Sequence, residues 1–142
     1  MRKFNFLLVV LLVAVLSATA LAQSKGIPVD VPGTGVLFFT YRYEGNVPPY
    51  DAVNTIWTNL NTVFTAWVDA GQDPSALTGK DVQIKTDAAG NVSLYVKDQF
   101  IVEVDAYHAA ANKATKAQLA EKWAANLRRG VEAFVKINEP IN

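Results

Sequence analysis

An amphipathic helix predicted over residues 51–70 constrains the fold of this chain more than any other sequence feature. Apolar side chains recur there at steps of three and four residues, and polar side chains occupy the opposite face. Asp51 is placed to cap the start of the helix, and Gly71 supplies a left-handed residue at its end. Such a wide apolar stripe predicts that the helix packs against another layer of structure. The stripe consists of Val53, Ile56, Trp57, Leu60, Val63, Phe64, Trp67 and Val68.

Alternating apolar residues predict the strands of that layer. Residues 36–43 are rich in aromatic and β-branched side chains and form the first strand. Residues 81–86 and 92–97 alternate in the same way around residues 87–91, whose composition is typical of a short hairpin loop. Residues 100–104 are predicted to add a third strand to this meander.

Two further helices are predicted after the strands. Asp105 is placed to cap a short helix over residues 106–111, and Thr115 with Gln118 matches the capping box of a longer one. The order β-α-β-β-β-α-α predicts a single α+β domain over residues 36–142, with an antiparallel sheet of about four strands and helices on one face. The apolar stripe of the longer helix is Leu119, Trp123, Leu127, Val131 and Phe134.

Residues 1–22 have the pattern of a secretory signal peptide. A basic start precedes an unbroken apolar run, and Ala20-Leu21-Ala22 matches a small-residue cleavage site. The run and its small-residue tail also approach the roughly 20 residues that span a bilayer, so a retained anchor is the alternative. With cleavage, we expect a periplasmic or extracellular protein without a transmembrane segment, in which residues 23–35 form an extended lead-in rich in glycine and proline.

Composition excludes several classes of function. The absence of cysteine excludes disulfides, thiolate metal sites and cysteine nucleophiles, and the single histidine, His108, excludes a multi-histidine metal site within one chain. The 13 basic and 13 acidic side chains balance, which does not favour nucleic acid as a partner. Since no cofactor motif is recognised either, we expect no metal and no cofactor, and we assign no catalytic residue.

His108, with Glu103 or Asp105 as its partner, is the arrangement that favours an enzyme. A histidine beside a carboxylate can act as the general base of a small hydrolase, which is the alternative function. No serine lies in a nucleophile-elbow motif, so the sequence favours a partly exposed helix histidine, an exposed Glu103 and an Asp105 that caps the short helix. A catalytic imidazole should lie in a concave pocket within reach of a carboxylate, whereas a structural one should point to solvent.

Two surfaces are candidates for ligand binding. Tyr41, Tyr43 and Tyr50 cluster around one strand end and the loop after it, where aromatic side chains can line a cleft. The last helix carries an excess of basic side chains, including Arg128 and Arg129, which either contact an anionic partner or form a solvated face. The sequence therefore favours a non-enzymatic binding module of the cell envelope, with an envelope protein, a glycan or a lipid headgroup as its partner.

The final third of the chain combines a strand ending in a Val-x-Asp-Ala turn, a short helix and a Leu-Ala-x-x-Trp-Ala helix. This succession resembles the small extracytoplasmic domains that precede the membrane part of some bacterial mechanosensitive-channel-like proteins, and related stand-alone secreted proteins. The resemblance implies an α+β domain without known catalytic residues. The matching residues are Val104, Asp105, Ala106, Leu119, Ala120, Trp123 and Ala124.

Overall fold

The computed structural model describes residues 24–141, which form five strands and three α-helices. The strands are β1 (Lys25–Asp30), β2 (Leu37–Tyr43), β3 (Val82–Thr86), β4 (Val92–Val96) and β5 (Gln99–Val104), and the helices are α1 (Tyr50–Asp69), α2 (Ala106–Ala111) and α3 (Lys116–Asn138). The predicted α+β class and its antiparallel strands are confirmed. The predicted signal peptide, residues 1–22, lies outside the described residues.

The strands form two sheets, whereas the sequence predicted about four strands in one. β1 pairs with β2, and β3, β4 and β5 form a separate meander in that order. β1 falls within residues 23–35, where an extended conformation was expected but no pairing partner. β1 precedes the predicted first strand and pairs with it along its length, since Lys25 lies opposite Tyr43 at the far end of β2. Pro28 is tolerated there because β1 is an edge strand, in which a missing N–H group need not break the ladder.

α1 begins and ends close to its predicted positions but without the predicted cap. Pro49 occupies the N-cap position and no side chain caps the helix, so Asp51 lies in the first turn. A carboxylate in the first turn is favourable because it interacts with the positive end of the helix dipole. Gly71 follows the last turn with a φ of 104°, the left-handed conformation that the sequence predicted.

The other two predicted helix starts are confirmed. The carboxylate of Asp105 accepts a hydrogen bond from the backbone N–H of His108 at 2.7 Å, which caps α2. Thr115 and Gln118 form a reciprocal capping box at the start of α3. Both helices therefore begin where local side-chain chemistry satisfies their first free N–H groups.

The core lies between the two long helices and the sheets. Both apolar stripes are buried along most of their length, except that Val68 is 42% exposed and Trp57 and Phe134 are only partly buried. The rings of Phe64 and Phe134 stack between α1 and α3 with their centroids 3.9 Å apart. The two helices thus supply the layer that connects the two sheets.

Side chains from the helices satisfy backbone groups of β2 and β5 that no neighbouring strand satisfies. The side-chain amide of Asn126, from α3, donates to the carbonyl of Phe38 at 3.0 Å. On β5, Asn59 of α1 donates to the carbonyl of Ile101 at 3.2 Å. Ile101 lies at a bulge where β5 loses register with β4, so its carbonyl has no strand partner. β2 and β5 belong to different sheets, and a groove lies between them.

Candidate functional site

The groove between β2 and β5 brings together aromatic rings, two carboxylates and His108. Its volume is about 270 Å³, and residues of β2, β5, α1 and α3 contribute to its walls. We call it the aromatic groove. It is lined by Phe39, Tyr41, Ala52, Thr55, Ile56, Phe100, Ile101, Val102, Glu103, Asp105, His108 and Trp123.

His108 is held in the groove wall through both of its ring nitrogens. Its Nε2 atom accepts the backbone N–H of Arg42 at 2.9 Å, and its Nδ1 atom lies 2.8 Å from the carboxylate of Asp105. Because a backbone amide can only donate, Nε2 carries no proton, and Nδ1 therefore carries the proton and donates a hydrogen bond to the carboxylate of Asp105. The imidazole is thus neutral in this arrangement, and it fastens α2 to the edge of β2.

The prediction that His108 is partly exposed is wrong, because only 3% of the residue is accessible. The structure meets both conditions that the sequence set for a catalytic imidazole, a concave site and a carboxylate within reach. It also shows why these conditions are insufficient. The nitrogen opposite Asp105, which would have to face a substrate, is occupied by the N–H of Arg42. Glu103 is exposed, as predicted, and Asp105 is the carboxylate that contacts the ring.

The aromatic rings form a buried floor and more open walls. Trp123 and Phe39 stack with their centroids 3.9 Å apart, and each is less than a twentieth exposed. Above them, the Tyr41 ring meets the His108 ring edge-on at 4.8 Å. Tyr41 is partly buried and Phe100 is 40% exposed, so these two rings present the surface that a ligand can reach.

The charge of the groove is negative. Glu103 and Asp105 are its only carboxylates, and neither lysine nor arginine lines it. The Oδ1 atom of Asp105 accepts both hydrogen bonds from His108, which leaves Oδ2 for another donor. Burial raises the pKa of the Tyr41 hydroxyl, and the negative charge of Asp105 raises it further. Tyr41 therefore keeps its proton and presents a neutral hydroxyl to the groove.

The five predicted binding residues are divided between different parts of the surface. Tyr41 lines the aromatic groove, Tyr43 lies at the partly buried end of β2, and Tyr50 begins α1 with 57% of its surface exposed. Arg128 lies beside the turn at Gly79, and Arg129 donates to the side chain of Asn126. Of these five residues, only Tyr41 lines the groove beside His108 and Asp105, and both arginines lie outside it.

Sequence reasoning missed three of the aromatic residues that line the groove: Phe39, Phe100 and Trp123. Trp123 was assigned to the helical stripe, and its burial agrees with that assignment. The signal that pointed towards the groove was the alternation that places Phe39 and Tyr41 on one face of β2. The groove itself depends on the separation of two sheets, which local patterns do not reveal.

A second cleft, of about 310 Å³, lies between the end of α1 and the turn that joins β4 to β5. Its wall includes Trp67, whose indole N–H donates to the carbonyl of Asp73 at 2.7 Å, and Leu77. This cleft is mainly apolar and does not contain the imidazole or a tyrosine. Across residues 24–141, no cluster of three or more histidine, aspartate or glutamate side chains is arranged to hold a metal ion.

The fold and the groove together define a small α+β domain with an aromatic, acidic cleft at the junction of two sheets. The chain belongs to the family described as Domain of unknown function (DUF8459), whose model matches residues 29–134. The matched segment includes every residue of the aromatic groove. A search of the curated proteins finds no significant match, and neither does a search of the solved structures. Between residues 24 and 141, no helix has both the length and the hydropathy needed to cross a bilayer.

Proposed function

We propose that this chain is a non-enzymatic binding module of the cell envelope that holds its ligand in the aromatic groove. The observation that carries the proposal is the use of both His108 nitrogens within the protein, while aromatic rings and carboxylates remain accessible beside it. The signal-peptide pattern of residues 1–22 supports a periplasmic or extracellular location.

The size of the groove limits what it can hold. Ligand pockets typically measure roughly 300–1,000 Å³, and this groove, at about 270 Å³, lies just below that range. A groove of this size can therefore hold a small molecule, a headgroup or one side chain of a partner protein. A few polar groups among apolar walls are typical of such sites, because they fix the orientation of a ligand whose affinity comes from burial.

A pull-down from envelope extract tests the proposed function. Phe100→Ala removes an accessible wall of the groove, and Val68→Ala removes a similarly exposed apolar side chain from α1, outside the groove. We expect the Phe100 variant to lose material that the wild-type protein and the Val68 variant both recover. Equal recovery by all three proteins would count against binding in the groove.

A hydrolase that uses His108 and Asp105 is the second candidate, favoured by the 2.8 Å contact between them in a concave site. Turnover of simple esters by the wild-type protein and by His108→Ala distinguishes the two functions. A binding module should give the same background rate in both proteins. A turnover that is lost with His108, alongside unchanged recovery by the Phe100 variant, would favour the enzyme instead.

A further inference from the structure

We infer that the aromatic groove selects an organic ammonium group, with its charge on Glu103 and Asp105 and its apolar body against Tyr41 and Phe100. This inference rests on the proposed function and specifies the chemistry of the ligand. The proposed ligand is a cation whose nitrogen carries carbon substituents, whether that nitrogen is a quaternary or a primary ammonium.

The charge of the groove gives the first argument. Both charged residues in its lining are acidic, and within residues 24–141 Glu103 forms no ion pair with another side chain. Asp105 keeps its Oδ2 atom free of the hydrogen bonds that hold His108. A positively charged ligand would find two acceptors, whereas a phosphate or carboxylate would meet repulsion from both.

The rings give the second argument, which is independent of the carboxylates. A cation over the face of an aromatic ring is attracted by the ring quadrupole, and the attraction is stronger when the cation is desolvated. Tyr41 and Phe100 are the accessible rings, and the stacked pair of Phe39 and Trp123 closes the groove beneath them. Neutral Tyr41 also offers its hydroxyl without adding a phenolate charge.

The volume gives the third argument, because about 270 Å³ is enough for one ammonium group and the carbon substituents next to it. A group of this kind also occurs in two sources, a small cation such as choline and the side chain of lysine in a partner protein. Choline and a lysine blocked at both its α-amino and carboxyl groups are therefore separate probes of the same chemistry.

Titration of the purified protein followed by amide NMR tests the inference. We expect choline or blocked lysine to shift the backbone signals of Tyr41, Phe100 and Glu103 and to saturate. The uncharged carbon isostere of choline should bind at least about tenfold more weakly, and acetate should not bind. Whichever cation binds more tightly identifies the source, a free cation or a protein side chain.

Two variants of equal charge change provide the matched comparison. Glu103→Gln removes one groove carboxylate and should weaken the binding of the cation by about fivefold, as expected for an exposed ion pair worth up to about 1 kcal/mol. Glu121→Gln removes an exposed carboxylate of α3 outside the groove and should leave the affinity unchanged. Salt should weaken binding to the wild-type protein because it screens the exposed charge.

The two proposals fail in different ways. If choline and its isostere bind equally, or if Glu103→Gln binds the cation as tightly as the wild-type protein, cation selection is overturned while groove binding remains. If no probe of any charge shifts the groove signals and the Phe100 variant recovers the same envelope material, the proposed function fails as well.

Discussion

His108 shows how a single buried residue can join parts of the chain that are far apart in sequence. Its ring connects Arg42 of β2 with Asp105, the residue that caps α2. The contact with Arg42 spans 66 residues, so no local pattern could have indicated it. The burial of a polar ring is tolerated because both of its nitrogens have partners.

We expect His108→Ala to lower the free energy of unfolding by about 3 kcal/mol. The substitution leaves a cavity and removes the acceptor of the Arg42 N–H, and an unsatisfied buried donor alone costs about 1–3 kcal/mol. Urea unfolding measures the change. Tyr107→Ala, one residue away and 39% exposed, is the control and should cost less than about 1 kcal/mol. A similarly small loss for His108→Ala would mean that its hydrogen bonds contribute little to the fold.

Tyr41 makes the stability of the fold sensitive to alkaline pH. Its pKa is raised from 10.0 by burial and then by Asp105, so the folded state holds this proton more tightly than the unfolded state does. The associated stability is present below the unfolded pKa and is lost as the pH rises through the folded pKa. Titration by phenolate absorbance should therefore show a late-ionising phase, to which Tyr107 also contributes because its pKa is raised too, and Tyr41→Phe should reduce the amplitude of that phase. An unchanged late phase in that variant would contradict the assignment.

At the scale of elements, α3 passes so close to the segment after β1 that only glycine fits at one position. A Cβ atom on Gly130 would overlap the Cγ2 atom of Val31, and Val31 is fully buried. Close packing of this kind holds the two-stranded sheet against the long helix. A glycine inside a helix otherwise lowers its stability, by about 1 kcal/mol relative to alanine.

We therefore expect Gly130→Ala to destabilise the protein by about 1–3 kcal/mol, although alanine is the better helix former. Denaturant unfolding measures the sign of the effect. The double variant with Val31→Ala relieves the steric overlap, and it should be more stable than the sum of the two single changes predicts. An increase in stability for Gly130→Ala alone would show that the helix and Val31 can move apart without penalty.

Elements whose signals are local were predictable from the sequence, and contacts between elements were not. The hairpin loop follows from Asp87 and Gly90: the carboxylate of Asp87 accepts the N–H groups of Ala89 and Asn91, and Gly90 has a φ of 85°. The stripes of α1 and α3 follow from periodicity in the same way. The pairing of β1 was hidden because Gly26 and Pro28 are typical of irregular segments. They fit a strand here because β1 lies at the edge of a sheet, paired with β2 on one side only.

At the scale of the whole molecule, stability depends on large aromatic side chains because the chain has no cysteine with which to form disulfides. Trp123 packs on the β2 side of the core, and Trp67 packs near the opposite end of α1 from the groove. These two indoles therefore anchor different ends of the same core.

Replacing Trp67 or Trp123 with alanine should each lower the free energy of unfolding by about 3–5 kcal/mol, since both are almost fully buried. Chemical denaturation measures the loss. Trp57→Ala provides a comparison of the same chemistry at a partly buried site and should cost less, although its indole N–H donates to the carbonyl of Asp30. A loss below about 1 kcal/mol for either buried tryptophan would mean that its face of the helix is not part of the core.

The helix side chains that bond to the backbone of β2 and β5 also affect how copies of this protein can associate. An uncovered strand edge is a template on which a foreign strand can pair, and aggregation often begins there. Here each of the three helices in residues 24–141 contributes one side chain against such an edge: Asn59, His108 and Asn126. These bonds thus occupy backbone groups that an intruding strand would need. The cleft is bordered by strands, yet it is poorly suited to growth by strand addition.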